Sequence, residues 1–396
     1  MKTPKTRRVL SLSTLFPNPA QPRFGIFVAR SLEALQRDTK WDVTVINPIG
    51  LPPVALGRYR ELAAAAQDSE EFGISIHRPV FRLIPKIGGR LNPALIARAV
   101  LPLVRRLHAQ NPFDLVDAQF FYPDGPAAMM IARDLGLPFT VKARGSDIHH
   151  WGARRYGRDA LLQTARAASG VLAVCKALAD DMAMLGMERE KIRVHYTGLD
   201  RDLFRPMDHA GLRARLAQTF DVPLTNDDLL LVTVGALIER KGQALVIKAL
   251  AHLPKGRLLL IGKGEDRASL LALARDVGVA DRVHMLGSLD PAVLPPLLSA
   301  ADAMVLPSAS EGLANAWIEA LACGTPIVIT DAGGAREVVT SPDAGVIVAR
   351  NCRAVREGIE LVTARPRSPE KVAAAVDEFS WAANGRALAA YYDTLV

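Results

Sequence analysis

The sequence predicts an α/β protein built from two doubly wound domains, each a parallel sheet covered by helices. Its 396 residues exceed what one ordinary hydrophobic core organises, so two domains near 200 residues are expected. Short β-rich runs alternate with helical stretches through both halves of the chain. The runs are almost continuously apolar, which is typical of parallel strands buried on both faces.

The strands can be placed individually. The first half contains the predicted strands Arg8–Ser13, Asp42–Asn47, Ile74–Val80, Leu115–Gln119, Phe139–Ala143, Gly170–Val174 and Ile192–Tyr196. The second half contains Leu229–Gly235, Arg257–Gly262, Val283–Gly287, Ala303–Leu306, Pro326–Thr330 and Val346–Val348. We expect domains over residues 1–200 and 201–378, followed by an amphipathic helix over residues 379–396.

Cysteine usage and hydropathy limit the classes of protein to which this chain can belong. Three widely spaced cysteines, an odd number, argue against a disulfide framework and for a reducing compartment. No apolar run reaches the roughly 18 residues that a membrane span needs. The first 16 residues, MKTPKTRRVLSLSTLF, indicate a basic tail and a first strand rather than a signal peptide, so a cytoplasmic protein is expected. No pair of His or Cys spacings indicates a zinc site.

Positive charge is concentrated in the first half. Residues 1–200 carry a net charge of +10 and residues 201–396 a net charge of −2. Between Glu71 and Asp114 there is no acid but seven basic residues: Arg78, Arg82, Lys86, Arg90, Arg98, Arg105 and Arg106. Apolar stretches with basic flanks suit an anionic membrane surface, so peripheral association with the inner face of the plasma membrane is predicted. Nucleic acid is not expected as a partner, because the segment has few aromatic residues and no recognised binding module.

The stretch from Asp302 to Gly324, DAMVLPSASEGLANAWIEALACG, predicts a strand, a tight polar loop and a helix from about Leu313. The first amides of a helix have no internal partners and attract anions. A diphosphate bound by the amides of Gly312, Leu313 and Ala314 would place an attached sugar beside Glu311 and an attached ribose beside Glu319. These spacings predict a nucleotide-sugar site.

The same stretch resembles the E-x7-E signature of glycosyltransferase family 4. The residues that fit this signature are Ser308, Glu311, Gly312, Glu319, Ala320, Ala322, Gly324 and Pro326. The resemblance implies the GT-B architecture, with two Rossmann-like domains facing a cleft and a terminal helix that crosses back to the first domain. It also implies an acceptor-binding first domain, a donor-binding second domain and sugar transfer with retention of configuration.

Further second-domain residues are assigned through this resemblance. Lys241 matches the lysine that contacts the donor diphosphate. Many members carry an arginine five residues earlier, where this chain has Ala236. Either Arg240 performs the role of that arginine or the role is absent from this chain. Glycine turns and a polar loop would line the nucleotide cleft at Gly235, Gly262, Gly264, Gly287 and Ser288.

In the first domain, Gly25 lies before an amphipathic helix, where the family has a glycine loop that approaches the donor phosphate or the acceptor. Gly145 and Asp147 resemble the family's H-G-x-D motif, but Arg144 replaces the usual histidine, as in teichuronic-acid and exopolysaccharide transferases. At this position either the backbone carbonyl receives a sugar hydroxyl or the Arg144 side chain grips an anion. Asp147 is expected to orient the loop rather than to act as a base.

The resulting expectation is a retaining, metal-independent glycosyltransferase without a cofactor. It would use a UDP- or GDP-linked sugar and a glycan or lipid-linked acceptor, in exopolysaccharide or lipopolysaccharide synthesis. Glu311, Lys241 and Arg240 would be catalytic. A nucleotide-sugar epimerase of the same architecture and a non-catalytic binding protein remain alternatives. A nicotinamide oxidoreductase is less favoured, because Arg267 occupies the place of the third glycine of a dinucleotide fingerprint.

Overall fold

The computed structural model describes residues 6–84, 88–208 and 211–396. The strands are β1 Arg7–Leu12, β2 Trp41–Ile46, β3 Ile49–Leu51, β4 Ser69–Glu71, β5 Ile74–His77, β6 Val80–Arg82, β7 Leu115–Ala118, β8 Phe139–Ala143, β9 Gly170–Ala173, β10 Ile192–Val194, β11 Leu229–Val234, β12 Gly256–Ile261, β13 Val283–Gly287, β14 Ala303–Leu306, β15 Ile327–Thr330 and β16 Gly345–Val348. The helices are α1 Ile26–Asp38, α2 Arg58–Ala64, α3 Asn92–Gln110, α4 Asp124–Leu135, α5 Ser146–Gly152, α6 Arg155–Ala167, α7 Lys176–Leu185, α8 Leu212–Phe220, α9 Gln243–Leu250, α10 Arg267–Asp276, α11 Leu294–Ala300, α12 Asn315–Ala322, α13 Ala335–Val338, α14 Cys352–Thr363, α15 Pro369–Ala373 and α16 Trp381–Asp393.

The chain divides into two compact units. The first unit comprises the residues up to Gly198 together with Trp381–Val396, and the second comprises Leu199–Ser380. The first unit's main sheet has the order β10-β9-β8-β7-β1-β2-β5-β4, parallel except for the β4–β5 pair. The second unit has a parallel sheet of order β13-β12-β11-β14-β15-β16. The predicted fold class, two doubly wound α/β domains, is therefore confirmed.

One predicted strand is wrong. Residues 74–80 do not form one strand: β5 ends at His77 and β6 begins at Val80, because Pro79 lacks an amide hydrogen for a sheet ladder. The strand β5 pairs with β2 in the main sheet, whereas β6 pairs with β3 in a separate two-stranded sheet.

The last helix, α16, is part of the first unit. Leu388 and Tyr392 are buried in that unit's core, where the Tyr392 ring meets Trp41 edge-on at a centroid distance of 5.3 Å. Asn384 accepts a hydrogen bond from the Ser31 hydroxyl at 2.6 Å and donates one to the carbonyl of Tyr196 at 2.6 Å. Full burial of each large apolar side chain contributes about 1.5–3 kcal/mol, so α16 supplies part of the first unit's stability.

No helix within the described ranges is both long enough and apolar enough to span a bilayer. The basic residues between Glu71 and Asp114 do not all face solvent with an unpaired charge, as the sequence had indicated. Arg78 is buried and donates hydrogen bonds to the Gln67 carbonyl and the Ser69 hydroxyl, so it stabilises the loop rather than facing a membrane. Arg105 is paired with Asp134. Lys86 lies outside the described residues.

Candidate active site

The helix that carries the predicted anion site is α12. It begins at Asn315, two residues later than expected, because Ala314, the residue before it, has an extended backbone with φ −72° and ψ 118°. No side chain caps its first turn. The Trp317 amide donates to the Ala314 carbonyl at 3.0 Å, which leaves the amides of Asn315 and Ala316 for a ligand. Glu319 is the fifth residue of the helix, about 6 Å along its axis from the first residue at 1.5 Å per residue.

Two cations and a carboxylate meet just before α12. The Lys241 Nζ lies 2.5 Å from Glu311 Oε1, and the Arg240 guanidinium lies 3.5 Å from Glu311 Oε2. The Glu311 side chain is only 8% exposed and the Lys241 side chain 13%. The structure thus brings together the three residues that the sequence assigned to catalysis, although Glu311 lies 70 positions after Lys241 in the chain.

Backbone contacts hold this cluster in place. The amide of Ala309 donates to the carbonyl of Arg240 at 2.7 Å, and the Arg240 guanidinium donates to the carbonyl of Ser310. Gly242 has φ +75°, and a side chain there would collide with the carbonyl of Pro307. The loop after β11 and the loop after β14 are consequently packed backbone to backbone.

Arg350 is a residue that the sequence analysis missed. Its Nε donates to the carbonyl of Pro307 at 3.1 Å and its Nη2 to that of Glu239 at 2.9 Å. It therefore ties together the two loops that carry Lys241 and Glu311. Its position directly after β16, at a strand's carboxyl end, was the available signal.

The predicted glycine turns pack against neighbouring loops. A Cβ on Gly262 would lie 1.9 Å from the carbonyl oxygen of Gly235, and one on Gly264 would lie 2.0 Å from that of Leu237. The Gly262 amide donates to the Gly287 carbonyl at 2.7 Å. These glycines allow the loops after β11, β12 and β13 to approach closely, and Ser288 follows Gly287 on the exposed side. Their contact with a nucleotide remains a prediction.

Glu319 differs from Glu311 in having no hydrogen-bond or ion-pair partner for its carboxylate within the described residues. Burial raises the pKa of the Glu319 carboxyl to about 7. Such a group lacks the hydrogen-bond donors that would stabilise its charged form. A ligand with hydroxyl groups could supply them.

A glycine turn supports the Glu311 loop from the other side. Gly333 has φ +52°, and a Cβ there would lie 2.2 Å from the carbonyl oxygen of Gly312 and 2.5 Å from that of Glu311. The Gly334 amide donates to the Gly312 carbonyl at 2.7 Å. This turn positions the Glu311 backbone.

In the first unit, the Asp147 carboxylate is fully buried and organises the loop after β8. It accepts hydrogen bonds from the amides of Phe121 at 2.8 Å, Arg144 at 2.9 Å, Gly145 at 2.9 Å and Ile148 at 3.1 Å. Burial raises the pKa of Asp147, and the amides of Phe121, Arg144 and Gly145 together with the charge of Arg144 oppose that shift only in part. This geometry suits the predicted orienting role.

The Arg144 side chain is held against its own unit. Its Nη2 donates to Gln119 Oε1 at 2.6 Å, and its guanidinium lies 4.8 Å from the centre of the Phe27 ring. Burial lowers the pKa of Arg144 to about 10, which leaves it charged at neutral pH. Gly25 packs on the backbone before α1, since a Cβ there would lie 2.4 Å from the carbonyl oxygen of Leu15. The ligand contacts of both residues remain predictions.

A buried basic pair beneath this loop was also missed. The Lys142 Nζ lies 2.7 Å from His195 Nδ1, and His195 Nε2 lies 2.9 Å from the Asn384 carbonyl oxygen. Burial lowers the pKa of Lys142 well below the usual value, and the charge of Arg144 adds to that shift. Only the folded structure shows this pair, because 53 residues separate its members.

Two family models match the chain. The model described as Glycosyltransferase Family 4 matches residues 24–203, and that described as Glycosyl transferases group 1 matches residues 215–378. The chain belongs to glycosyltransferase family 4. It is accordingly a glycosyltransferase.

Curated relatives agree with this assignment. This family 4 chain is 27% identical over 365 residues to TuaC of Bacillus subtilis (strain 168), a match covering 89% of the chain and 88% of the relative; the name of TuaC assigns it to teichuronic acid biosynthesis. It is 36% identical over 173 residues to the lipopolysaccharide core biosynthesis glycosyltransferase LpsE of Rhizobium meliloti (strain 1021), covering 43% of the chain and 46% of the relative.

Solved structures share the fold at low sequence identity. Sucrose-phosphate synthase from Thermosynechococcus elongatus has a TM-score of 0.79 at 20% identity, covering 98% of this chain and 99% of that one. Anabaena HepE in complex with UDP and glucose has a TM-score of 0.72 at 20% identity, with the same coverage. The family 4 chain therefore has the same fold as these two proteins.

Proposed function

We propose that this chain transfers a hexosyl group from a UDP- or GDP-linked sugar to a lipid-linked glycan acceptor, with retention of configuration and without a metal ion or cofactor. The observation that carries the proposal is the cluster of Lys241, Arg240 and Glu311 beside the uncapped start of α12. Cations and exposed amides suit a diphosphate, and a neighbouring carboxylate suits sugar hydroxyls.

The cluster would act mainly by electrostatic stabilisation of the leaving group. The amides of α12, Lys241 and Arg240 would neutralise the departing diphosphate, a contribution of several kcal/mol. Without a donor, Lys241 is paired with Glu311. A bound diphosphate would draw the Lys241 ammonium towards itself, which leaves Glu311 to accept hydrogen bonds from the sugar and to stabilise positive charge at its anomeric carbon.

Retention would follow from attack on the face that the diphosphate leaves. The bond between the anomeric carbon and the phosphate oxygen breaks, and the bond to the acceptor oxygen forms on the same side. The acceptor's hydroxyl proton passes to the departing phosphate oxygen, so no protein nucleophile takes part. Glu319 would accept hydrogen bonds from the ribose hydroxyls, consistent with its lack of a protein partner.

The relatives support the donor and the pathway. HepE binds UDP and glucose, TuaC is named for teichuronic acid synthesis and LpsE for the lipopolysaccharide core. An exopolysaccharide or lipopolysaccharide intermediate at the cytoplasmic face of the membrane is therefore the proposed acceptor. Within the described residues, no group of three or more His, Cys, Asp or Glu side chains could hold a metal ion. Metal independence is tested by transfer in the presence of EDTA, which we expect to be unchanged.

The donor can be identified by thermal shift before the acceptor is known. A ligand present at 100 times its dissociation constant stabilises a protein by about 2.7 kcal/mol. We expect UDP or GDP, and one of their sugar derivatives, to raise the midpoint of unfolding. No shift with any nucleoside diphosphate would contradict the proposed donor class.

Substitutions at the cluster test the catalytic assignment. We expect Glu311→Ala and Lys241→Ala each to lower the rate of transfer at least 100-fold, the usual cost of removing a group that stabilises charge in a transition state. The exposed Lys248 of α9 provides a matched control, and Lys248→Ala should transfer sugar at the wild-type rate. Near-native turnover in either cluster variant, measured with a saturating donor, would refute the assignment.

The epimerase alternative differs in its requirement for an acceptor. An epimerase converts the nucleotide sugar alone, whereas a transferase needs a second substrate. The similar proteins named above include two biosynthetic glycosyltransferases, which favours transfer. Incubation of the donor without acceptor should leave its sugar configuration unchanged by NMR, and appearance of the epimer would support the alternative.

A further inference from the structure

The first unit contains a cavity of about 350 Å³ that none of the assigned residues lines. This first-unit cavity lies beyond the carboxyl ends of three parallel strands: Thr14 follows β1, Pro48 follows β2 and Pro123 follows β7. Ligands of open α/β sheets bind at such ends. Its volume is at the lower end of the range for small-molecule sites.

The walls of this cavity are largely apolar. They include the side chains of Phe24, Ile49, Leu62, Phe81 and Leu83. Such walls favour an apolar group over a fully hydroxylated sugar, because burial of apolar surface contributes about 25 cal/mol per Å².

The charge of the cavity lining comes from Arg58 and indicates the rest of the ligand. Arg58 lines the cavity and is exposed, with its Nη2 3.2 Å from the Tyr59 hydroxyl and with no acidic partner within the described residues. A phosphate would accept hydrogen bonds from the remaining N–H groups of this guanidinium.

The segments around the cavity expose apolar side chains. Of the eleven exposed large apolar residues in the described part of the chain, five lie within four positions of a cavity-lining residue: Phe24, Val54, Leu56, Val80 and Leu91. Val54 and Leu56 are 68% and 60% exposed, and the following helix α2 buries no residue. These apolar residues lie near the basic residues Arg58, Arg60 and Arg82, and Glu61 is the acid on α2. Exposed apolar residues beside basic ones are typical of a surface that contacts anionic lipid.

We propose that the first-unit cavity binds an acceptor in which a phosphate is esterified to a long apolar chain. Arg58 binds the phosphate, the apolar walls hold the first carbons of the chain, and Val54 and Leu56 contact the membrane in which the chain is anchored. This inference rests on the proposed function and specifies its acceptor. It also moves the membrane contact from the basic segment as a whole to the loop before α2.

Binding of farnesyl phosphate in the absence of donor tests the cavity without requiring catalysis. We expect Arg58→Gln to weaken binding at least tenfold, equivalent to about 1.4 kcal/mol. Leu62→Trp, which fills the cavity, should abolish binding. Arg60→Gln, on the same helix but not among the lining residues, should bind within twofold of the wild type.

Two further probes separate the parts of the ligand. Farnesol and inorganic phosphate should each bind at least tenfold more weakly than farnesyl phosphate. Equal binding of inorganic phosphate would reduce the site to a simple anion site, and unchanged affinity of Arg58→Gln and Leu62→Trp for farnesyl phosphate would overturn the proposal. Thermal unfolding and UDP or GDP binding of each variant, expected to match the wild type, exclude misfolding and show that the donor site is intact.

Vesicle flotation tests the membrane contact separately. The double variant Val54→Asp and Leu56→Asp should float with phosphatidylglycerol vesicles less than the wild type, and should still bind soluble farnesyl phosphate. Unchanged flotation would refute the lipid contact of this loop. Because these are binding measurements, they stand even if Glu311→Ala retains activity and the proposed transfer mechanism fails.

Discussion

At the scale of single residues, the two glutamates of the E-x7-E motif have different surroundings. Glu311 is paired with Lys241 and Arg240, whereas Glu319 has no partner within the described residues and its pKa is raised to about 7 by burial. Since hydroxyl groups that donate to a carboxylate favour its charged form, a nucleotide whose ribose binds Glu319 must lower that pKa. We therefore predict that UDP or GDP binding at pH 7 releases about half a proton from Glu319, and none at pH 9.

Calorimetry in two buffers of different ionisation enthalpy measures this release. The nucleotide's own phosphate also titrates near neutral pH, so the relevant quantity is the difference between the wild type and Glu319→Gln. The Gln variant has no carboxyl to ionise and should bind with less proton release at pH 7. Equal release by both proteins would show that the ribose does not contact Glu319.

At the scale of elements, the sequence predicted most of the sheet strands well. The bounds of β8, β13 and β14 agree with the prediction to the residue. The strands β3 and β4 were not predicted, because each has only three residues and most of these are exposed or half-exposed. Periodicity carries little information over so short a run.

In the candidate site too, some features could be predicted from the sequence and others could not. Its motif residues lie on one strand, loop and helix, so their mutual spacing could be derived from the sequence alone. The contact of Arg350 with Pro307 and that of Lys142 with His195 join residues 43 and 53 positions apart. Such pairs depend on which strands become neighbours, and no local pattern encodes that.

The glycine turn behind the Glu311 loop provides a prediction about an element. In Gly333→Ala the new methyl group would collide with the carbonyls of Glu311 and Gly312, so this loop must shift. We expect the rate of sugar transfer to fall at least tenfold, because misplacement of a catalytic group by about 1 Å can cost as much as 100-fold.

Gly278→Ala is the matched control for this loop. Gly278 also has a positive φ, +72°, but nothing lies within 4 Å of the position that its Cβ would occupy. It should suffer the same backbone strain without displacing the Glu311 loop, so its transfer rate should stay near that of the wild type. A similar loss of activity in both variants would mean that strain, and not the position of Glu311, causes the effect.

At the scale of the whole molecule, the positively charged half of the chain also buries a lysine. Lys142 is enclosed with His195 as its neighbour, and its pKa in the folded protein lies well below the 10.5 of an exposed lysine. Between these two pKa values the unfolded chain binds a proton that the folded protein does not. The free energy of unfolding of the first unit should therefore rise with pH from 7.5 to 9.5, by at most about 1.4 kcal/mol per pH unit from this group.

Urea unfolding of wild type and Lys142→Met across this pH range measures the effect. Methionine has a similar length and no charge, so the variant should lose this part of the pH dependence. Its free energy of unfolding should rise less steeply with pH than that of the wild type. Both proteins should carry Trp317→Phe, so that tryptophan fluorescence reports the unfolding of the first unit. The other tryptophans, Trp41, Trp151 and Trp381, all belong to that unit. The pKa of His195 is also lowered, but from 6.5, so its titration lies below the range measured. Parallel slopes for the two proteins would mean that Lys142 remains protonated in the folded state, with His195 accepting a hydrogen bond from a buried ammonium.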